Sequence, residues 1–192
     1  DPGRKPYDTG TTGGRSPGTP PDAKTAGALV TPIVARAVDQ YWNLVTVSSD
    51  ASIASYSDAN GAAAAPATRP LTQGTTNFEF TFYTAGSQRV TANPKSGSFI
   101  ASSTGAWVTV NQGGEHCLLA LLPGETHAPG KAPHAAPLNC IQPLGGKNGS
   151  GYSGYTWTAG ISSQVTVMVT DQYWNKIPNN TRQVWLKDFD PN

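Results

Sequence analysis

The feature that most constrains this chain is a pentapeptide that occurs twice. Asp39-Gln40-Tyr41-Trp42-Asn43 returns as Asp171-Gln172-Tyr173-Trp174-Asn175, 132 residues later. The flanks return with it. Thr25-Ala26-Gly27 stands before the first copy and Thr158-Ala159-Gly160 before the second, and Gly13-Gly14-Arg15 matches Gly145-Gly146-Lys147 at the same 132-residue offset. Five identical residues including a Trp, with matched flanks, mark an internal repeat, and an internal repeat fixes the architecture before any single element is assigned.

The repeated unit reads as β. Val165 to Asp171 is apolar at every other position, and its counterpart Ile33 to Asp39 sets Ile33, Ala35 and Ala37 on one face. Period-two alternation predicts a strand with one buried face. Asp and Asn, which bond their own backbone, then bracket an aromatic pair, as in a turn between strands. Trp42 and Trp174 are expected to fold over the end of the core, with each indole N–H finding a partner. Phe78, Phe80 and Phe82 alternate with Glu79, Thr81 and Tyr83. This is the clearest half-buried strand in the chain, and its register predicts Phe80 in the core with Glu79 and Thr81 facing outward.

Organisation follows from the repeat. Residues 1–27 read as a Gly/Pro-rich connector and 28–111 as one sandwich. Residues 112–154 read as an inter-repeat join, and 155–192 as the first strands of a second, incomplete unit. Strands are expected at 30–38, 43–49, 77–83, 87–92 and 105–111, with short ones near 52–56 and 98–102. The Ala62–Ala65 run is expected as a loop, because one uncapped turn of helix is marginal. The join offers a candidate strand at 116–122, and the second unit offers strands at 164–170 and 183–188. Nothing after them in the sequence could pair with them, and two strands alone cannot bury a core.

Composition narrows the class. Only 13% of the 192 residues are charged, and there are 21 glycines and 16 prolines, which fits an all-β secreted protein. A net charge of +1 without a basic run gives no reason to expect nucleic acid or an anionic membrane as partner. The longest apolar run, Cys117 to Leu122, is too short to span a bilayer. No signal-peptide pattern opens the chain, which reads as mature or as a fragment. Cys117 and Cys140 are the only cysteines. In an extracellular chain they pair as one disulfide, and the alternative is two buried free thiols.

With these residues in view, the chain resembles the bacterial immunoglobulin-like repeats found in tandem in large secreted and cell-surface proteins. The likeness is carried by Thr25-Ala26-Gly27 and the Asp39 to Asn43 turn, then by Ser48-Ser49-Asp50, Leu71-Thr72 and Phe78 to Phe82. Thr84-Ala85-Gly86 and Val90 to Pro94 continue it. Leu121 to Glu125, the step Gly146-Lys147-Asn148-Gly149 and the second Thr-Ala-Gly resemble the connector between such repeats. The resemblance implies Ig-like strands in a two-sheet sandwich and no catalysis. The departure is 126–144, which carries the second cysteine and looks like an insertion. Such sandwiches host many roles, so the fold does not name the function.

The remaining candidate chemistry is sparse. Gly14-Arg15-Ser16-Pro17-Gly18 matches the hydrolase-elbow pattern, but Thr and Pro flank it where a strand and a helix are required. His116, Cys117, His127, His134 and Cys140 cluster in sequence, at spacings unlike the usual zinc pairs; a disulfide with three exposed histidines is the simpler reading. Asp39, Asn43, Asp171 and Asn175 could contribute to calcium sites, yet each turn offers few carboxylates and an Asx turn accounts for the same residues. Tyr152, Tyr155 and Trp157 could form a sugar-stacking platform, or pack against a neighbouring sheet. Asn148 and Asn179 open N-glycosylation sequons. The expectation is an extracellular or cell-surface, non-enzymatic structural protein of tandem Ig-like modules, needing no cofactor or metal. It would form a stalk, filament or surface layer, self-associating head to tail by strand exchange or stacking on neighbouring repeats. The alternative is a carbohydrate-binding or adhesive module of a larger secreted protein.

Overall fold

The computed structural model of the chain describes residues 21–63, 66–95, 100–135, 140, 145–149 and 160–185. Over these residues the protein is all-β, with several sheets and no helix. The chain divides into two compact units, Asp1–Asn111 and Gln112–Asn192. In the first unit the strands are β1 (Lys24–Thr25), β2 (Leu29–Arg36), β3 (Asp50–Ser55), β4 (Ala62–Ala63), β5 (Thr68–Pro70), β6 (Thr75–Thr81), β7 (Gly86–Gln88), β8 (Val90–Pro94), β9 (Ser103–Thr104) and β10 (Val108–Asn111). The second unit holds β11 (Cys117–Leu121), β12 (Thr126–His127), β13 (Lys147–Asn148) and β14 (Thr166–Thr170).

Two sheets carry the first unit, ordered β2-β6-β4 and β5-β3-β8-β9, and a third set, β1-β10-β7, closes its side. The Phe strand is central, as its alternation demands. Phe78, Phe80 and Phe82 are buried while Glu79 and Thr81 are only partly covered. Ala35, Ala37, Ala51, Ile53, Leu71, Val90, Val108 and Val110 complete the buried set, consistent with a β-sandwich. Arg69 of β5 lies 5.9 Å from the Phe78 ring centroid, which ties one sheet to the other.

Several expected elements come out differently. Residues 43–49 form no strand. They make one isolated bridge, Val38 to Leu44, because β6 occupies that edge of β2: Ala37 donates to Gly74 O and Ile33 to Arg36 lie beside Phe78 to Thr75. Ala62–Ala63, expected in a loop, pair with Thr81 and Phe80. A buried strand such as β6 has backbone groups on both edges to satisfy, and these alanines take the second edge. The expected strand 87–92 is two strands. β7 pairs with β10 and β8 with β3, so the chain changes sheets at Arg89, whose guanidinium sits 4.0 Å from Tyr56 and 4.2 Å from Trp107. Of the short strand expected at 98–102, residues 96–99 lie outside the described residues and the strand observed is β9.

The main difference lies in the second unit. Strand β14 does have a partner in this chain, and it comes from upstream. β11, in the segment read as a join, pairs antiparallel with it from Cys117 opposite Thr170 to Leu121 opposite Thr166. Cys117, Leu119, Leu121, Ala135 and Trp174 form one buried cluster with Met168 packed against it. Gln183 to Trp185 are not a strand, and Trp185 is 91% exposed; Leu186 and the residues after it lie outside the described residues.

The register of β6 has a direct test. Phe80→Ala is expected to destabilise the first unit by about 3–5 kcal/mol, the usual cost of emptying a buried Phe site. Thr81→Ala should change stability by well under that amount. Urea unfolding of the two variants measures both, and equal losses would mean that the faces of β6 are exchanged.

Candidate functional site

The repeated pentapeptide builds the same hairpin in both units. In the first, Asp39 N donates to Asn43 O and Trp42 N to Asp39 O, at 3.0 Å each. In the second, Asp171 N donates to Asn175 O at 2.9 Å and Trp174 N to Asp171 O at 3.1 Å. This is a three-residue loop whose last residue takes the left-handed conformation, the position that usually falls to Gly. Here it is Trp, with φ of 67° at Trp42 and 66° at Trp174. A bulky residue stays there only when its surroundings over-determine it.

The carboxylates do that. Asp39 Oδ1 accepts from Tyr41 N and Asn43 N, and Oδ2 from Asn43 Nδ2 at 3.1 Å. Asp171 repeats the set with Tyr173 N, Asn175 N and Asn175 Nδ2, and its Oδ2 also accepts from Gly113 N at 2.8 Å. The oxygens considered as calcium ligands are thus engaged by N–H donors of the turn itself. Hydrogen bonds from the Asn43 side chain and backbone hold the Asp39 carboxyl below its ordinary pKa, with Tyr41 N adding to the effect against a small opposing desolvation.

The two copies differ in what covers them. Trp174 is 1% exposed, and its Nε1 donates to Pro133 O at 2.9 Å. The cover is residues 117–149. Gly130 N donates to Tyr173 O and Ala135 N to Gln172 O, while His127 Nε2 lies 2.6 Å from Trp174 O. The His134 ring meets Tyr173 edge-on, with its Nε2 2.9 Å from Gly130 O. Gly145 and Gly146 press on the indole so closely that a Cβ on Gly146 would stand 2.4 Å from Trp174 Cγ. Lys147 pairs with Glu125 at 2.8 Å, and Lys131 Nζ donates to Lys147 O and Asn148 Oδ1, closing the base of the cover.

The first copy lies bare by comparison. Tyr41 is 54% exposed and Leu44 55%, and Val34, Val38 and Val45 are exposed beside them. Trp42 Nε1 has no partner among the described residues, so the expectation of a satisfied indole holds for Trp174 and fails for Trp42. Because Ala37 turns its N–H toward Gly74 and accepts from Val45 N, backbone alternation sends the groups of Val34, Arg36 and Val38 to the other edge of β2. Among the described residues β2 pairs only with β6, and that outer edge is open.

Other candidate residues fall as follows. Cys117 and Cys140 are joined in a disulfide with Cα atoms 5.7 Å apart. His116 lies within 4.8 Å of both sulfurs, but those sulfurs are bonded to each other and present no thiolate pair. Asn148 and Asn179 are both exposed. Tyr152, Tyr155 and Trp157, like Ser16, lie outside the described residues. Sequence reasoning missed Arg89 between Tyr56 and Trp107, three residues far apart in the chain that no local pattern joins.

Fold and site together define an all-β protein of two units, each carrying the same carboxylate-braced aromatic turn. No helix among the described residues is long and apolar enough to cross a membrane. Comparison with protein-family models, with curated proteins and with solved structures returns no match.

Two outcomes test the site. Gly146→Ala is expected to cost the second unit about 1–3 kcal/mol by overpacking against Trp174, read by denaturant unfolding with the disulfide intact. Because the Asp39 pKa is lowered on folding, its contribution is present above the ordinary Asp value and is lost as pH falls through the lower folded value. The amide signals of Tyr41 and Asn43 should therefore titrate together, with a midpoint below about 3.9. A midpoint at or above that value would remove the carboxylate brace.

Proposed function

We propose that this chain is a piece of an extracellular, cell-surface structural protein, in which tandem Ig-like modules form a stalk, filament or surface layer without catalysis. One observation carries the reading: the same five residues build the same hairpin in two successive units, down to the left-handed Trp and the Asp carboxylate that holds it. Reuse of a folding device rather than of a reactive constellation is what a repeated spacer requires. The disulfide fits an oxidising compartment, and exposed Asn148 and Asn179 are accessible for glycosylation there. Resemblance to bacterial Ig-like repeats supports the same class.

A second reading, a glycan-binding or adhesive module, is favoured by a different feature. Tyr56 and Trp107 are 57% and 43% exposed and flank Arg89, whose Nε has no partner among the described residues. Exposed aromatics beside a planar cation suit stacking on a sugar ring. The two readings separate cleanly. Negative-stain images of the purified chain are expected to show elongated particles or filaments, and a glycan array is expected to show no binding. Glycan binding abolished by Trp107→Ala, with no elongated particles, would replace the structural role with the adhesive one.

A further inference from the structure

The repeat allows one unit to be read against the other. Ile177 N donates to Val169 O, the same bond as Val45 N to Ala37 O displaced by 132 residues. Thr166, Met168 and Thr170 therefore present their backbone to the edge that Val34, Arg36 and Val38 present in the first unit. In the second unit β11 fills that edge. In the first unit the edge is open, and the side chains beside it are bare where their counterparts are covered. Val38 is 36% exposed against 0% for Thr170. Residues 1–23 contain no alternating apolar run like Cys117 to Leu121, so the sequence ahead of β2 holds no strand of the β11 kind.

We propose that the outer edge of β2, from Val34 to Val38, is a docking site for the free edge of β11 from a second copy of this chain. The inference rests on the reading of the protein as a self-assembling structural module, and it names the contact. β11 has two edges and, among the described residues, pairs only with β14 through one of them. Leu118, on its outward face, is 52% exposed. Adding this edge to β2 leaves every bond within each chain in place, so β14 keeps its partner and strand addition replaces strand exchange.

The sequence selects this occupant over the obvious rival. Two β2 edges meeting antiparallel about their centre would set Arg36 opposite Arg36, and like charges directly opposite are destabilising. β11, Cys117-Leu118-Leu119-Ala120-Leu121, carries no charge. In the register that β14 uses, it would set Leu119 opposite Arg36, with Leu121 and Cys117 opposite Val34 and Val38. The core behind β11 would then continue over the bare valines. Donor edge and acceptor edge differ and belong to one chain, so the contact does not close on itself and grows a filament.

Proline is the test, since it removes an N–H and is tolerated where that N–H faces away from the sheet. Arg36→Pro removes an outward N–H of the acceptor, and Ala120→Pro removes one from the donor. The full, oxidised chain is expected to gain mass with concentration in light scattering. Each variant alone is expected to remain at the mass of one chain with unchanged circular dichroism. An equimolar mixture is expected to stop at two chains, because one acceptor and one donor remain. The double variant Val34→Lys, Val38→Lys leaves the backbone intact and should lose association in the same way if either proline variant fails to fold.

A mixture that stays at one chain overturns the contact. So does self-association of Ala120→Pro, which would mean β2 against β2, or of Arg36→Pro, which would mean β11 against β11. A wild-type chain monomeric at every concentration also overturns it. If such a chain is still elongated by negative stain and binds no glycan, the structural reading stands without this contact.

Discussion

In each unit a single carboxylate holds a tryptophan in a backbone conformation it would not choose. Asp171 gathers N–H groups from Tyr173, Asn175 and the Asn175 amide, and so fixes Trp174 at a left-handed position with its ring over the end of the strand pair. Around that ring the second unit is assembled: Pro133 O takes the indole N–H, Gly145 and Gly146 lie on the ring, and β11 brings Leu119 and Leu121 to the same cluster. Asp171 also accepts from Gly113 N, just ahead of β11, so one residue links the turn to the strand that covers it. A buried carboxylate costs free energy unless its lone pairs are filled, and here the backbone fills them.

What was legible in the sequence was what local chemistry decides. The Phe78 to Phe82 alternation gave both strand and face, because side chains alternate whatever the strand pairs with. The Asp to Asn turn was legible for the same reason, since its hydrogen bonds span at most four residues. What was not legible depends on which distant strand arrives first at an edge. Residues 43–49 look like a strand, yet β6 claims the edge they would need. The break at Arg89 is set by two different partners, β10 and β3, and no period in the sequence encodes a change of sheet. Asp58, almost fully buried, ties the end of β3 to Tyr83 and Thr84, a link across 25 residues with no motif.

The segment 112–149 shows how composition misleads. Rich in Pro, Gly and His, it reads as a connector because its apolar residues are few and scattered. Its structural role comes from covering a preformed aromatic surface rather than from presenting a face of its own. Glycines serve that role by allowing backbone to approach a ring, and the disulfide closes the loop from β11 to Cys140. Such a cover needs few apolar side chains, because the large apolar body is the tryptophan beneath it.

Covered and bare copies of one turn within a single chain also bear on how tandem arrays avoid disorderly association. Pro32 stands in β2 and Arg36 projects from it, two devices that discourage indiscriminate pairing along an edge strand. Neither blocks the short stretch between Val34 and Val38, which matches the five residues of β14 that β11 occupies. Proline limits where a strand can pair, and the single positive charge selects which strand can pair. An edge restricted in both ways admits an uncharged partner of about five residues and rejects its own kind. That is the difference between an edge left open by neglect and one shaped for an ordered array.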